Sequence, residues 1–143
     1  MRTGVRVETM KRSSALQPLS REHHGALSLA KACERAAQSG DAAQVGEACE
    51  RAIQAYAHEL EPHFQYEERS LLPLLHGVEM QPLVERTLAD HRLLRGLLDG
   101  LRQHDVEALA DFGRCLAEHV RFEERELFQA LESRLPQDMK EYK

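Results

Sequence analysis

Two stretches, HFQYEERSLL at 63–72 and HVRFEERELF at 119–128, each place a histidine four residues ahead of a glutamate. Residues i and i+4 share one face of an α-helix, so each imidazole would project beside its carboxylate. With eight histidines and 18 glutamates in 143 residues, chance alone supplies about one such pair, and a single pair carries little information. Two pairs in matched surroundings carry more. A shift of 56 residues aligns His63 with His119, Glu67 with Glu123, Glu68 with Glu124, Arg69 with Arg125 and Leu71 with Leu127.

Both pairs lie on the apolar stripes of their segments. Burying a histidine beside a carboxylate is costly unless the two are paired or hold a metal. Upstream of each pair stands one further inward histidine preceded by an acid, Glu22-His23 and Asp90-His91. His24 competes with His23, but His23 shares its face with Leu16, Leu19, Ala26, Leu27 and Ala30. His24 has Gln17, Ser20, Ser28 and Lys31 for neighbours, so His23 is the inward residue. The collected set is His23, His63, Glu67, His91, His119 and Glu123. Mixed imidazole and carboxylate donors suit iron, with zinc or manganese as substitutes. Two glutamates can each bridge a pair of ions while two histidines complete each ion. Open positions beside redox-active iron are where small gases bind.

The elements that must position these residues are helices. Ala, Leu, Glu, Arg and Gln dominate the chain, and all are strong helix formers. Helical periodicity predicts four helices, at about 20–38, 41–72, 82–103 and 106–135. Ser20 is the expected N-cap of the first. Pro62 falls inside the second, where a missing N–H predicts a kink. No stretch alternates with period two for long enough to form a strand. The expectation is an all-α, antiparallel up-down-up-down four-helix bundle over 16–136, with flexible tails at 1–15 and 137–143.

The remaining residues exclude several classes. A formal charge of −5 gives nucleic acid no electrostatic support, and the hydrophobic runs are too short to span a bilayer. Cys33, Cys49 and Cys115 are odd in number and lack C-x-x-C spacing. They read as small core residues of a cytoplasmic protein. Glu68, Arg69, Glu124 and Arg125 read as solvated helix faces with local ion pairs. His58, His76 and His104 read as surface residues. Tyr56, Phe64, Tyr66, Phe112, Phe122 and Phe128 read as packing residues. Ferritin-like E-x-x-H spacing is missing, and Pro62 takes the place of the second histidine after His58-Glu59 in a zincin pattern.

The segments SREHHGAL, EPHFQYEERSLLPLL, ADHRLL and AEHVRFEERELFQALE resemble, in that order, the hemerythrin-like (HHE cation-binding) domain. The resemblance covers about residues 16–135. It implies a non-haem di-iron centre with His23, His63, Glu67, His91, His119 and Glu123 as ligands. The chain departs from oxygen-carrying members, which have a second histidine four residues after the third-helix ligand. Here that position is Arg95. They also place an aspartate five residues after the last histidine, whereas Glu123 stands four after His119. The set resembles the four-histidine, two-glutamate variety of bacterial stress and iron-centre repair proteins. The implied function is a carboxylate-bridged di-iron site that binds or senses oxygen, nitric oxide or peroxide. One alternative is a di-iron enzyme of oxidative or nitrosative stress response or iron-centre repair, with Tyr56 or Tyr66 as proton donor. Another is a structural bundle or a metal-storage protein.

Overall fold

The computed structural model describes residues 12–136 and 139. The tails expected at 1–15 and 137–143 lie outside the described residues, apart from 12–15 and Met139. Four helices pack as a bundle, and no strand occurs among the described residues. Helix α1 spans Gln17–Gln38, α2 spans 42–74, α3 spans 81–102 with a break at Leu97, and α4 spans 106–132. A single 3-10 turn, Val78–Met80, leads into α3. The most extensive interface is between α1 and α4, followed by α1 against the first part of α2. Gly113 permits that α1–α4 approach, since a Cβ there would lie 2.8 Å from the carbonyl oxygen of Ala30.

Helix ends follow local chemistry. Asp41 caps α2 by accepting from the Ala43 N–H at 3.0 Å, and Asp105 caps α4 through the Glu107 N–H at 3.1 Å. The α1 start differs from the sequence expectation. Pro18 sits in the first turn, where a missing N–H is harmless, so the helix begins before Ser20. Ser20 is not a cap; its hydroxyl donates to Glu124 Oε2 at 2.7 Å.

Three π turns interrupt the helical register. The first, Tyr56–Leu60, immediately precedes Pro62, and the Glu61 N–H reaches back to Tyr56 O. The wider turn takes up the irregularity that a proline imposes on the carbonyl four residues behind it. The other two, Glu67–Leu71 and Glu123–Leu127, begin on the two glutamates of the repeated motif. Pro73 stands two residues past the 67–71 turn, as Pro62 does past the first, whereas no proline or glycine marks the turn at 123–127.

The core is divided along the bundle axis. One apolar cluster includes Leu29, Cys33, Cys49, Leu60, Phe64, Leu94, Phe112 and Leu116. The second includes Leu16, Leu19, Leu71, Leu75, Leu127, Phe128 and Leu131. Between them lies a polar layer. Among the described residues seven polar ones are buried: His23, His63, Glu67, Thr87, His91, His119 and Glu123. Thr87 satisfies itself on the Leu83 carbonyl at 2.8 Å, which leaves four imidazoles and two carboxylates in the middle of an otherwise apolar bundle. The three cysteines are free and buried, all of them in the first apolar cluster. Among the described residues no helix is long and apolar enough to cross a membrane.

Candidate metal centre

Each helix delivers its donors from one turn. His23 comes from α1, His63 and Glu67 from α2, His91 from α3, and His119 and Glu123 from α4. Their donor atoms form two groups, His23/His63/Glu67/Glu123 and Glu67/His91/His119/Glu123, each with all atoms within 4.8 Å of one another. The glutamates belong to both groups, and each divides its oxygens between them. Glu67 Oε2 lies 2.9 Å from His63 Nε2, while its Oε1 lies 3.0 Å from His91 Nε2. Glu123 Oε1 lies 2.8 Å from His23 Nε2 and 3.5 Å from His63 Nε2. Its Oε2 lies 2.8 Å from His119 Nε2. All four imidazoles thus present Nε2 inward. His24 is exposed, and so are His58, His76 and His104.

The inner atoms fit a cation better than they fit one another. His119 Nε2 and Glu123 Oε2 are 2.8 Å apart, yet neither makes a hydrogen bond. Two buried ligand atoms at contact distance that form no aligned hydrogen bond have the arrangement of two ligands facing one ion. Two buried donor groups of imidazole and carboxylate, bridged by shared glutamates, are suited to a di-metal site.

The outward nitrogens reveal what the sequence reading missed. Carboxylates only accept, so each imidazole donates its Nδ1–H to an acid on a neighbouring helix. His63 donates to Glu22 at 2.8 Å, His91 to Glu68 at 2.6 Å, His119 to Asp90 at 2.8 Å and His23 to Glu124 at 2.6 Å. This fixes the tautomer and leaves the Nε2 lone pair for a metal. Glu68 and Glu124, read from sequence as outward solvated residues, are therefore half-buried partners of histidines on other helices. The available signal was their position: every one of these four acids adjoins a donor residue in the chain. Their cross-helix targets could not be read from that adjacency.

Arginines hold three of the four acids. Arg12 donates to the Glu124 backbone oxygen at 2.7 Å and its side chain at 3.1 Å. Arg86 Nε lies 2.9 Å from Asp90, and Arg95 donates to Glu68 at 3.1 Å. Arg95, four residues after His91, thus supports an outer carboxylate instead of entering either donor group. Among the described residues Glu22 has no arginine partner. Aromatic rings add further restraint: Phe64 stacks on His91 with centroids 3.9 Å apart, and Phe128 stacks on His23 at 5.2 Å. These phenylalanines are packing residues whose packing sets ligand planes. Tyr56 points away from the donor groups, its hydroxyl bonding to Glu61 and Arg95, and Tyr66 packs against the second apolar cluster.

The charges around the layer are strongly coupled. Burial would depress the His119 pKa, but the Glu123 charge and the Asp90 bond outweigh it and raise it to about 10. His63 is likewise raised despite burial, through Glu67, Glu123 and Glu22. His23 is raised despite burial, through Glu123 and Glu124. Burial would push the Glu124 carboxyl up, yet bonds from His23, Ser20 and Arg12 hold it at about 2. Protons in this layer therefore occupy the places that cations would take.

A cavity of about 10 Å³ reaches His23, His63, His119 and Glu123, space for roughly one water-sized molecule. Ala26, Leu60, Phe64, Leu116 and Val120 make its walls apolar, and Glu22 and Glu59 complete the lining.

Residues 14–131 match the family described as the Hemerythrin HHE cation binding domain. No match to the chain arises among curated proteins or solved structures.

Proposed function

Because the chain belongs to the hemerythrin HHE cation-binding family, we propose that it holds two iron ions and binds or senses a small ligand such as oxygen, nitric oxide or peroxide. The observation that carries this reading is the division of the glutamate oxygens. Glu67 and Glu123 each offer one oxygen to the His23/His63 side and the other to the His91/His119 side. His23 and His63 would hold one ion, and His91 and His119 the other, with both carboxylates bridging.

Iron bound there would supply redox-active, Lewis-acidic centres with room for a small exogenous ligand. The protein's part is to keep the four imidazoles in one tautomer through Glu22, Glu68, Asp90 and Glu124. It also excludes bulk water with apolar layers above and below. The cavity restricts any ligand to the size of a few atoms, which favours diatomics and peroxide over organic substrates. Binding or sensing is preferred over turnover because neither Tyr56 nor Tyr66 lines the cavity, so neither tyrosine is placed to deliver a proton there.

Anaerobic loading with ferrous iron, followed by metal analysis, tests the site. We expect two irons per chain, and an absorption spectrum that changes on exposure to nitric oxide or oxygen. Uptake of far fewer than two irons, or a His63→Ala chain that loads like the parent, would sink the proposal. A loaded chain whose spectrum ignores both gases would refute the ligand-binding part alone.

A further inference from the structure

The cavity beside the donor groups has an uneven distribution of charge between its buried and its accessible lining residues. Buried imidazoles, Glu123 and apolar side chains make up most of its lining. Only two of its lining residues are not buried: Glu22, which is half-buried, and Glu59, which is exposed. Both are carboxylates, and no lysine or arginine lines the cavity.

These two carboxylates also lack an arginine or lysine partner among the described residues. The three other acids that support ligand histidines are each held by an arginine, at 3.1 Å for Glu124, 2.9 Å for Asp90 and 3.1 Å for Glu68. Glu22 has no arginine partner among the described residues, and its contact is the His63 imidazole at 2.8 Å. Glu59 forms no ion pair among the described residues. The two acids without a guanidinium partner are therefore the cavity-lining residues that reach the protein surface.

We propose that Glu22 and Glu59 make this site selective for uncharged small ligands over small anions. The inference deepens the metal-site reading above and rests on it. A neutral diatomic meets no electrostatic barrier at the mouth and gains from the apolar walls. An anion must pass two fixed negative charges at the solvent end. It must then shed its hydration among Leu60, Phe64 and Val120 before it can reach a cation. The pair acts as a filter on charge while the walls filter on size.

The test compares two probes on protein first shown to contain two irons per chain. Association of azide with the ferric form and of nitric oxide with the ferrous form is followed by stopped-flow absorption, at low and high salt. Glu59→Gln is the informative variant, because Glu59 is exposed and makes no ion pair whose loss would disturb folding. Glu118→Gln, exposed on α4, is the control for net charge. The expected result is a roughly tenfold rise in the azide-to-nitric-oxide rate ratio for E59Q, a size typical of local charge steering. The ratio should rise further for Glu59→Lys and stay flat for E118Q. Parent azide rates should also increase with salt, as screening weakens repulsion. A ratio unchanged by E59Q and E59K, or raised equally by E118Q, overturns the filter while leaving the metal site intact. A parent chain that takes up no iron overturns the metal-site reading and the filter together.

Discussion

Loading the metal-free protein with two divalent ions at pH 7 should release at least one proton per chain, because a metal and a proton compete for the same Nε2 atoms. His119 has a raised pKa in the folded chain and so carries a proton at pH 7 that bound metal must displace, and His63 and His23 are shifted in the same direction. For His119, whose pKa stands at about 10, removing that proton at pH 7 costs about 4 kcal/mol of the metal's binding energy. With at least that one proton displaced, the product of the two binding constants should rise about tenfold or more per pH unit near neutrality. The stability of the metal-free bundle should move the opposite way. Groups raised above their ordinary value of 6.5 contribute fully below that pH, and their contribution is lost as pH rises through the folded values. Between pH 7 and 10 the metal-free protein should therefore melt at progressively lower temperature while its metal affinity climbs. Zinc titration calorimetry in two buffers of different ionisation enthalpy counts the protons, and melting curves with and without zinc supply the second arm. Release of less than one proton with two ions bound would refute the charge-exchange reasoning.

Three further outcomes follow from particular contacts. Glu67→Ala removes an oxygen from both donor groups and should abolish both ions, whereas His23→Ala, touching one group, should retain about half the metal; elemental analysis distinguishes them. Arg95→Ala frees Glu68 from its guanidinium partner at 3.1 Å and loosens the His91 support, so metal should dissociate some 10- to 100-fold faster from one of the two positions. Biphasic release to a chelator reads this, and Arg95→Lys should restore part of it. Gly113→Ala sets a Cβ 2.8 Å from the Ala30 carbonyl and should lower stability by about 1–3 kcal/mol in urea unfolding, through the α1–α4 interface and without a direct contact to the donors.

The bundle was legible because a 3.6-residue apolar period persists through nearly the whole chain and Asp41 and Asp105 cap where turn residues cluster. The six inner residues were legible because they occupy apolar stripes in a repeated order, and a charged side chain on such a stripe demands a reason. Three features escaped. Ser20 looked like a cap because serine before an apolar run usually is one, but Pro18 had already started the helix. The π turn at 123–127 begins on a buried glutamate and leaves no compositional mark, while the one at 67–71 is flanked by Pro73 as the first is by Pro62. The outer carboxylates escaped for a different reason. Local ion pairing explains Glu68-Arg69 and Glu124-Arg125 equally well within one helix, and only the packed bundle shows that the acids serve histidines elsewhere.

Those acids close a ring. Glu22 on α1 supports His63 on α2, Glu68 on α2 supports His91 on α3, Asp90 on α3 supports His119 on α4, and Glu124 on α4 returns to His23 on α1. The half-repeat is visible in it: the acid precedes the donor on α1 and α3 and follows it on α2 and α4. No helix orients its own histidine. A donor atom is correctly placed only when the neighbouring helix is in register, so ligand geometry and helix packing are one cooperative property. A shift of any helix along the axis would break two outer bonds and one inner group together. This explains why so polar a layer can sit between two apolar clusters in a chain with no disulfide among its described residues. Its cost is recovered only when all four helices are in place, which selects one register over the alternatives that interchangeable leucine-rich faces would otherwise allow.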